Sequence, residues 1–151
     1  MTTLADDGWI PVTSEQSGNG YRWRVWIDSE QQNFTFIEAF NEAGQMFSGG
    51  VGKQDVPDEG VRFWVGKDEG FPTFVGVWFD EAYPRMTIET THRAVIIGAE
   101  RTESHFGKRY YAMPLEEGEG LIAVVAGDVR KQYVSAPGIG SGETGFYPSD
   151  R

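Results

Sequence analysis

A chain of 151 residues without cysteine is long enough for one domain with a real core, and it has no disulfides or thiolate metal sites. Its 23 Asp and Glu against 13 Lys and Arg leave a net charge of −10. That argues against nucleic acid and anionic membrane partners, which call for a concentrated positive footprint.

No apolar run approaches the ~20 residues that cross a bilayer. The opening MTTLADDGWIPVT has neither the basic nor the apolar region of a secretory signal. The expected compartment is therefore the cytoplasm, with a virion or extracellular setting left open.

Residues 1–20 read as an N-terminal arm, with Trp9, Ile10 and Val12 as anchors and Ser17-Gly18-Asn19-Gly20 as a turn. Tyr21–Asp28 alternates as a strand. Tyr21, Trp23, Val25 and Ile27 take one face, and Arg22, Arg24, Trp26 and Asp28 the other, where an arginine is placed to stack on Trp26. Phe34–Phe40 runs back, with Phe34, Phe36, Glu38 and Phe40 on one face and Ile37 and Ala39 on the other. Gln45-Met46-Phe47 is a short strand, and Ser48–Gly52 a glycine-rich loop. That loop has no helix behind it and no Lys-Ser or Lys-Thr pair, so it is not read as a phosphate site.

Val61–Gly66 is a strand with Phe63 and Val65 opposite Trp64. In Thr73–Phe79, Val75, Val77 and Phe79 share one face while Phe74 and Trp78 share the other. A strand apolar on both faces belongs in the middle, covered above and below. Gly76 leaves a gap there for a neighbouring ring, or marks a bulge. Arg85–Thr90 turns Met86 and Ile88 to the core, Thr91-His92 is a hairpin tip, and Arg93–Gly98 returns. Phe106–Leu115 is a strand closed by Pro114. Leu121–Ala126 is apolar on both faces, and Gly127-Asp128 turns it into Arg130–Val134. Residues 136–151 are a Gly/Ser/Pro-rich tail in which Phe146 and Tyr147 are the anchors. About nine short strands with frequent turns spell an antiparallel β-sandwich over residues 21–135, with a β-barrel as the alternative.

The succession YRWRV, SGGVG, PTFVGV, YPRMTIETTHRAVII and LIAVVAGDVRKQYV resembles an uncharacterised all-β domain of actinobacterial hypothetical proteins. The likeness spans Tyr21 to Ser135. Thr91-His92 stands where an Asp-Gly turn is commoner. The resemblance implies a sandwich-like antiparallel fold and carries no catalytic motif.

No constellation in the chain spells a reaction. His92 and His105 lack a spacing that brings them together on a metal, so no metal and no cofactor are expected. The GIGSG run at 138–142 follows no strand. Glu38 sits among aromatics, but pairing across strands with Arg22 or Arg24 accounts for it. Most acidic pairs, Glu116-Glu117 and Glu119 among them, fall in turns and read as solvated surface.

The remaining signal is aromatic: 5 Trp, 6 Tyr and 10 Phe. Trp23, Phe36, Phe63, Phe79 and Tyr110 suit a core. Trp26, Trp64, Trp78 and Tyr111 fall on opposite pleats, where they are either a second core layer or an exposed contact surface, with Trp9, Phe146 and Tyr147 as clasps. The leading expectation is a non-catalytic sandwich that binds or assembles with other proteins, including as a structural part of a larger particle such as a phage virion. A carbohydrate-binding module using the same rings is the alternative, and an enzyme of unknown class the second.

Overall fold

The computed structural model describes residues 8–28, 35–51, 60–67 and 69–133. Its strands are β1 (Trp9–Pro11), β2 (Gln16–Gly18), β3 (Tyr21–Asp28), β4 (Thr35–Phe40), β5 (Met46–Val51), β6 (Val61–Gly66), β7 (Phe74–Asp80), β8 (Arg85–Thr90), β9 (Ala94–Gly98), β10 (Ser104–His105), β11 (Lys108–Pro114), β12 (Leu121–Ala126) and β13 (Val129–Gln132). One 3-10 turn, Ala99–Arg101, lies between β9 and β10. No helix among the described residues is long and apolar enough to cross a membrane.

These strands make three antiparallel sheets, none closed into a barrel. The first has the order β1-β3-β4-β5, with β2 also on β3; the second is β10-β11-β7-β6; the third is β13-β12-β8-β9. The alternation along β7 shows how they stack. Phe74 and Trp78 join Trp23, Val25, Ile37 and Phe47 of the first sheet in one core. Val75, Val77 and Phe79 join Met86, Ile88 and Val124 of the third sheet in another. The second sheet is therefore the middle layer of three, and six consecutive residues of β7, Phe74 to Phe79, are buried. The expected sandwich is present, with one layer and several strands more than the turn signals suggested.

The gap at Gly76 is filled by a ring. Trp64 stands directly across from Gly76, and a Cβ built on Gly76 would lie 2.3 Å from two atoms of its indole. Only glycine lets Trp64 lie flat on the sheet at that point.

Three segments differ from their sequence reading. Of the N-terminal arm read over residues 1–20, the described residues 8–20 contribute β1 and β2, which run along β3 (Ile10 opposite Ile27, Ser17 opposite Arg22) as part of the first sheet. Of the glycine-rich run read as a loop over Ser48–Gly52, Ser48–Val51 supplies most of edge strand β5, with Gly49 opposite Ile37 and Gly50 opposite Phe36. Glycine keeps both backbone hydrogen-bonding groups, so pairing with β4 overrides its preference for turns. Phe36 is half-buried on the outer face of the first sheet, because Ile37 and Ala39 take the inner one. There Trp9 meets it edge-on at 4.8 Å.

Candidate binding groove

The aromatic contact surface expected from the pleats is not there. Trp64 is 1% exposed and Trp78 6%, both between the first and second sheets. Tyr111 is packed between the second and third. Trp26 does face outward, but it is buried too, with the Arg24 guanidinium 5.9 Å from its ring and Pro11 beside it in register. Trp64, Trp78 and Tyr111 are core, and Trp26 is a covered ring on the outer face of the first sheet. Alternation tells which residues share a face, and the additional sheet decides that both faces of β7 are covered. Trp9 is half-buried; Phe146 and Tyr147 lie outside the described residues.

Glu119 is where the charges converge. It sits in the turn that carries the chain from β11 in the middle sheet to β12 in the third. Its side chain is fully buried, contrary to the expectation of solvated turn acids. The Arg93 guanidinium clasps it with two hydrogen bonds, Nε at 2.8 Å and Nη2 at 3.1 Å. The Thr90 hydroxyl and the Glu116 backbone N–H donate to the same carboxylate. Burial by itself would raise the pKa of Glu119, but the Arg93, Glu116 and Thr90 donors outweigh it and hold the carboxyl down to about 2. The hydrogen bond to Glu119 likewise raises Arg93 above its ordinary value. Thr91 N–H to Gly120 O and Gly120 N–H to Thr91 Oγ1, both 2.9 Å, bind the two turns together.

His92, at the hairpin tip, lies 3.4 Å from Glu116, and His92, Glu116 and Glu119 each bring one ligand atom within 4.8 Å of the others. A carboxylate offers about four lone-pair sites, and four donors already take those of Glu119. A cation would have to displace Arg93 to bind there. The cluster is therefore read as a knot that fixes two turns. His105 instead lies 3.5 Å from Glu103. Glu38 stands across from Arg24, the cross-strand placement expected of it.

Beside the knot runs an open groove of about 680 Å³. All three layers reach it. One wall is Ser14, Gln16, Ser17, Gly18 and Asn19 from the first sheet, and the other carries Arg93, Val95 and Arg101. Trp23, Tyr111, Met113 and Pro114 make its floor. Among the described residues β2 pairs with β3 alone, β9 with β8 alone, and β11 beyond Arg109 with β7 alone, so three strand edges border it. Two edge carbonyls are covered from within. The Trp23 indole N–H donates to Ala112 O at 2.9 Å, and Arg101 Nη1 to Ile96 O at 3.2 Å. Pro114 has no N–H to offer. Strand addition is thereby blunted along this groove, the usual defence of an exposed edge.

The chain matches no known family model, no curated protein and no solved structure. The groove has to be read from its own chemistry. Its ionisable groups are already held: Arg93 by Glu119, Glu116 beside His92, and Arg101 over the Tyr111 ring at 5.6 Å. What it offers a ligand is an apolar floor with two anchored guanidinium groups and the Glu116 carboxylate on its rim. Of the aromatic residues expected to form a contact surface, Tyr111 alone lines it among the described residues. Arg93, Arg101 and Glu119 carried no signal, since arginines and acids in polar turns look like solvated surface until the turns are brought together.

Proposed function

We propose that this is a non-catalytic β-sheet protein that acts by contact with other protein chains, and that the groove bordered by β2, β9 and β11 is its contact surface. One observation carries the reading: an apolar floor of Trp23, Tyr111, Met113 and Pro114, with Val95 beside it, under arginines pinned by their own partners. Preformed apolar patches with rigid arginines are what protein interfaces use as anchors. With every ionisable side chain in the groove committed to a structural contact, none is left poised as a general acid, base or nucleophile. Capped strand edges favour recognition by side chains over strand addition. Burial of Trp26, Trp64, Trp78 and Tyr111 removes the flat exposed rings on which a glycan-binding module would depend.

The test is site-specific photocrosslinking in the cells that make the protein, with p-benzoylphenylalanine at Ser17 or Val95 and, as control, at Thr87 on the outer face of the third sheet. The reading expects discrete protein adducts from the two groove positions and none from Thr87. No adducts from the groove, or equal adducts from all three, contradict it.

A further inference from the structure

The two-residue turn between β10 and β11 holds an unusual residue. Phe106 and Gly107 both take positive φ, 54° and 81°. Such a turn is made for Asn-Gly or Gly-Gly, and a bulky side chain in the left-handed region is strained. Phe106 is nevertheless there, 57% exposed at the very tip. Backbone strain and a phenyl ring presented to water both run against stability, which directs attention to a contact outside the chain.

The surroundings of the tip say what kind of contact. Glu81 is bound to the turn through its N–H to Gly107 O at 2.9 Å, and Ser104 Oγ donates to its carboxylate. Glu103 is 66% exposed next to His105. Asp80 lies across from Lys108, whose ammonium is drawn over the Trp78 ring at 4.9 Å. The ring is thus flanked by carboxylates, which an anionic membrane would repel. It suits an apolar pocket with a cationic rim.

The same chain displays an apolar floor with two arginines on its rim: Arg93 already answers Glu119 and has Glu116 beside it, whereas Arg101 is held by Ile96 O and the Tyr111 ring. We propose that the Phe106 tip of one copy seats in the β2–β9–β11 groove of a second copy, phenyl on the Met113 floor beside Val95, and Glu81 and Glu103 toward Arg101. This rests on the groove being a protein contact surface and names its occupant. The tip lies before the first residue of β11 and the groove floor at its far end, about 20 Å away at strand spacing. A copy therefore cannot fill its own groove. The contact joins two different surfaces, so it propagates head to tail into rings or filaments.

Sedimentation velocity from low micromolar to near millimolar concentration tests this. Wild type is expected to associate beyond the dimer. Phe106→Asn, which suits the turn and keeps the fold, weakens association about tenfold or more. Arg101→Glu does the same, and Ser17→Trp, which fills the groove without touching Glu119, is the second groove variant. The decisive arm is mixing. A tip variant still has a groove and a groove variant still has a tip, so the pair forms a heterodimer and stops there. A wild type that is monomeric throughout, or association indifferent to all three substitutions, overturns the proposal. If wild type is monomeric while Val95 still crosslinks to another protein in cells, self-assembly falls and the groove reading stands. If both fail, both fall.

Discussion

The two cores on either side of the middle sheet are built from different materials. Between the first and second sheets the filling is aromatic: Trp23, Phe47, Trp64, Phe71, Phe74, Trp78 and Tyr110. Phe47 stacks on Phe74 at 5.6 Å, and Trp23 tilts against Phe74 at 5.7 Å. Between the second and third sheets it is mostly aliphatic: Val61, Val65, Val75, Val77, Met86, Ile88, Ile97 and Val124. Flat rings fill wide spaces but demand specific gaps, and they bring polar atoms along. Trp64 Nε1 and Tyr110 Oη are buried without a hydrogen-bond partner among the described residues, and burial pushes the Tyr110 hydroxyl up to about 12. Small branched side chains carry no polar atoms, and their side of the stack is tied instead at its rim, by the Glu119 knot. The comparison teaches that one middle sheet serves two packing regimes, one limited by shape and the other by closure of its turns.

The largest effect is expected where shape is tightest. Gly76→Ala forces a methyl group into the Trp64 ring and should cost about 3 kcal/mol, read from urea denaturation. A loss below about 1 kcal/mol means the aromatic side yields as easily as the aliphatic one, and the contrast disappears.

Next comes the knot. With its folded pKa lowered to about 2 from an ordinary 4.5, Glu119 contributes about 3 kcal/mol at neutral pH. Because the folded value is the depressed one, that contribution is full above the unfolded value. It is lost as pH falls from about 5 toward 2. Glu119→Gln should cost about 2 kcal/mol at pH 7, since Arg93 is 40% exposed and water partly replaces its partner. It should also flatten the acid limb of the stability curve. An unchanged acid limb in the variant places the pH dependence elsewhere.

On the aliphatic side, Val77→Ala removes two methyl groups from a fully buried site and should cost about 2 kcal/mol. The smallest change is expected on the outer face of the third sheet. Arg130 meets Glu89 there at 2.8 Å with both side chains well exposed. Arg130→Ala should stay within about 0.5 kcal/mol. A larger loss makes that face a structural participant and spoils its use as the silent control.

Much of this fold is legible along the chain. The bounds of β3, β6, β8 and β12 follow from alternation and turn residues, and the two-faced apolarity of β7 together with the gap at Gly76 announces a covered strand. Other features escape for physical reasons. Alternation records which side chains share a face but is silent on what lies opposite, so the pleats of Trp64 and Trp78 do not disclose the sheet above them. Ser48–Val51 joins a sheet because β4 supplies a partner for its backbone, a tertiary effect with no local sign. Glu119, in an acidic glycine-rich turn, reads as solvated until Arg93 and Thr90 arrive from 26 and 29 residues away. The groove is made the same way, by three sheets meeting, and of its lining only Tyr111 belongs to the contact surface expected from the sequence.

The three-layer stack, with one sheet buried on both faces, is the claim on which the rest depends. The chain's lack of cysteine makes it directly testable, because a single introduced thiol reports alone. Ala112→Cys faces the aromatic core, Val77→Cys the aliphatic core, and Thr87→Cys the solvent side of the third sheet. Under native conditions the account predicts that Thr87→Cys is labelled at once, while Ala112→Cys and Val77→Cys both react only at the rate of global unfolding. Rapid labelling at either buried position would show one face of the middle sheet open to water, and would contradict it.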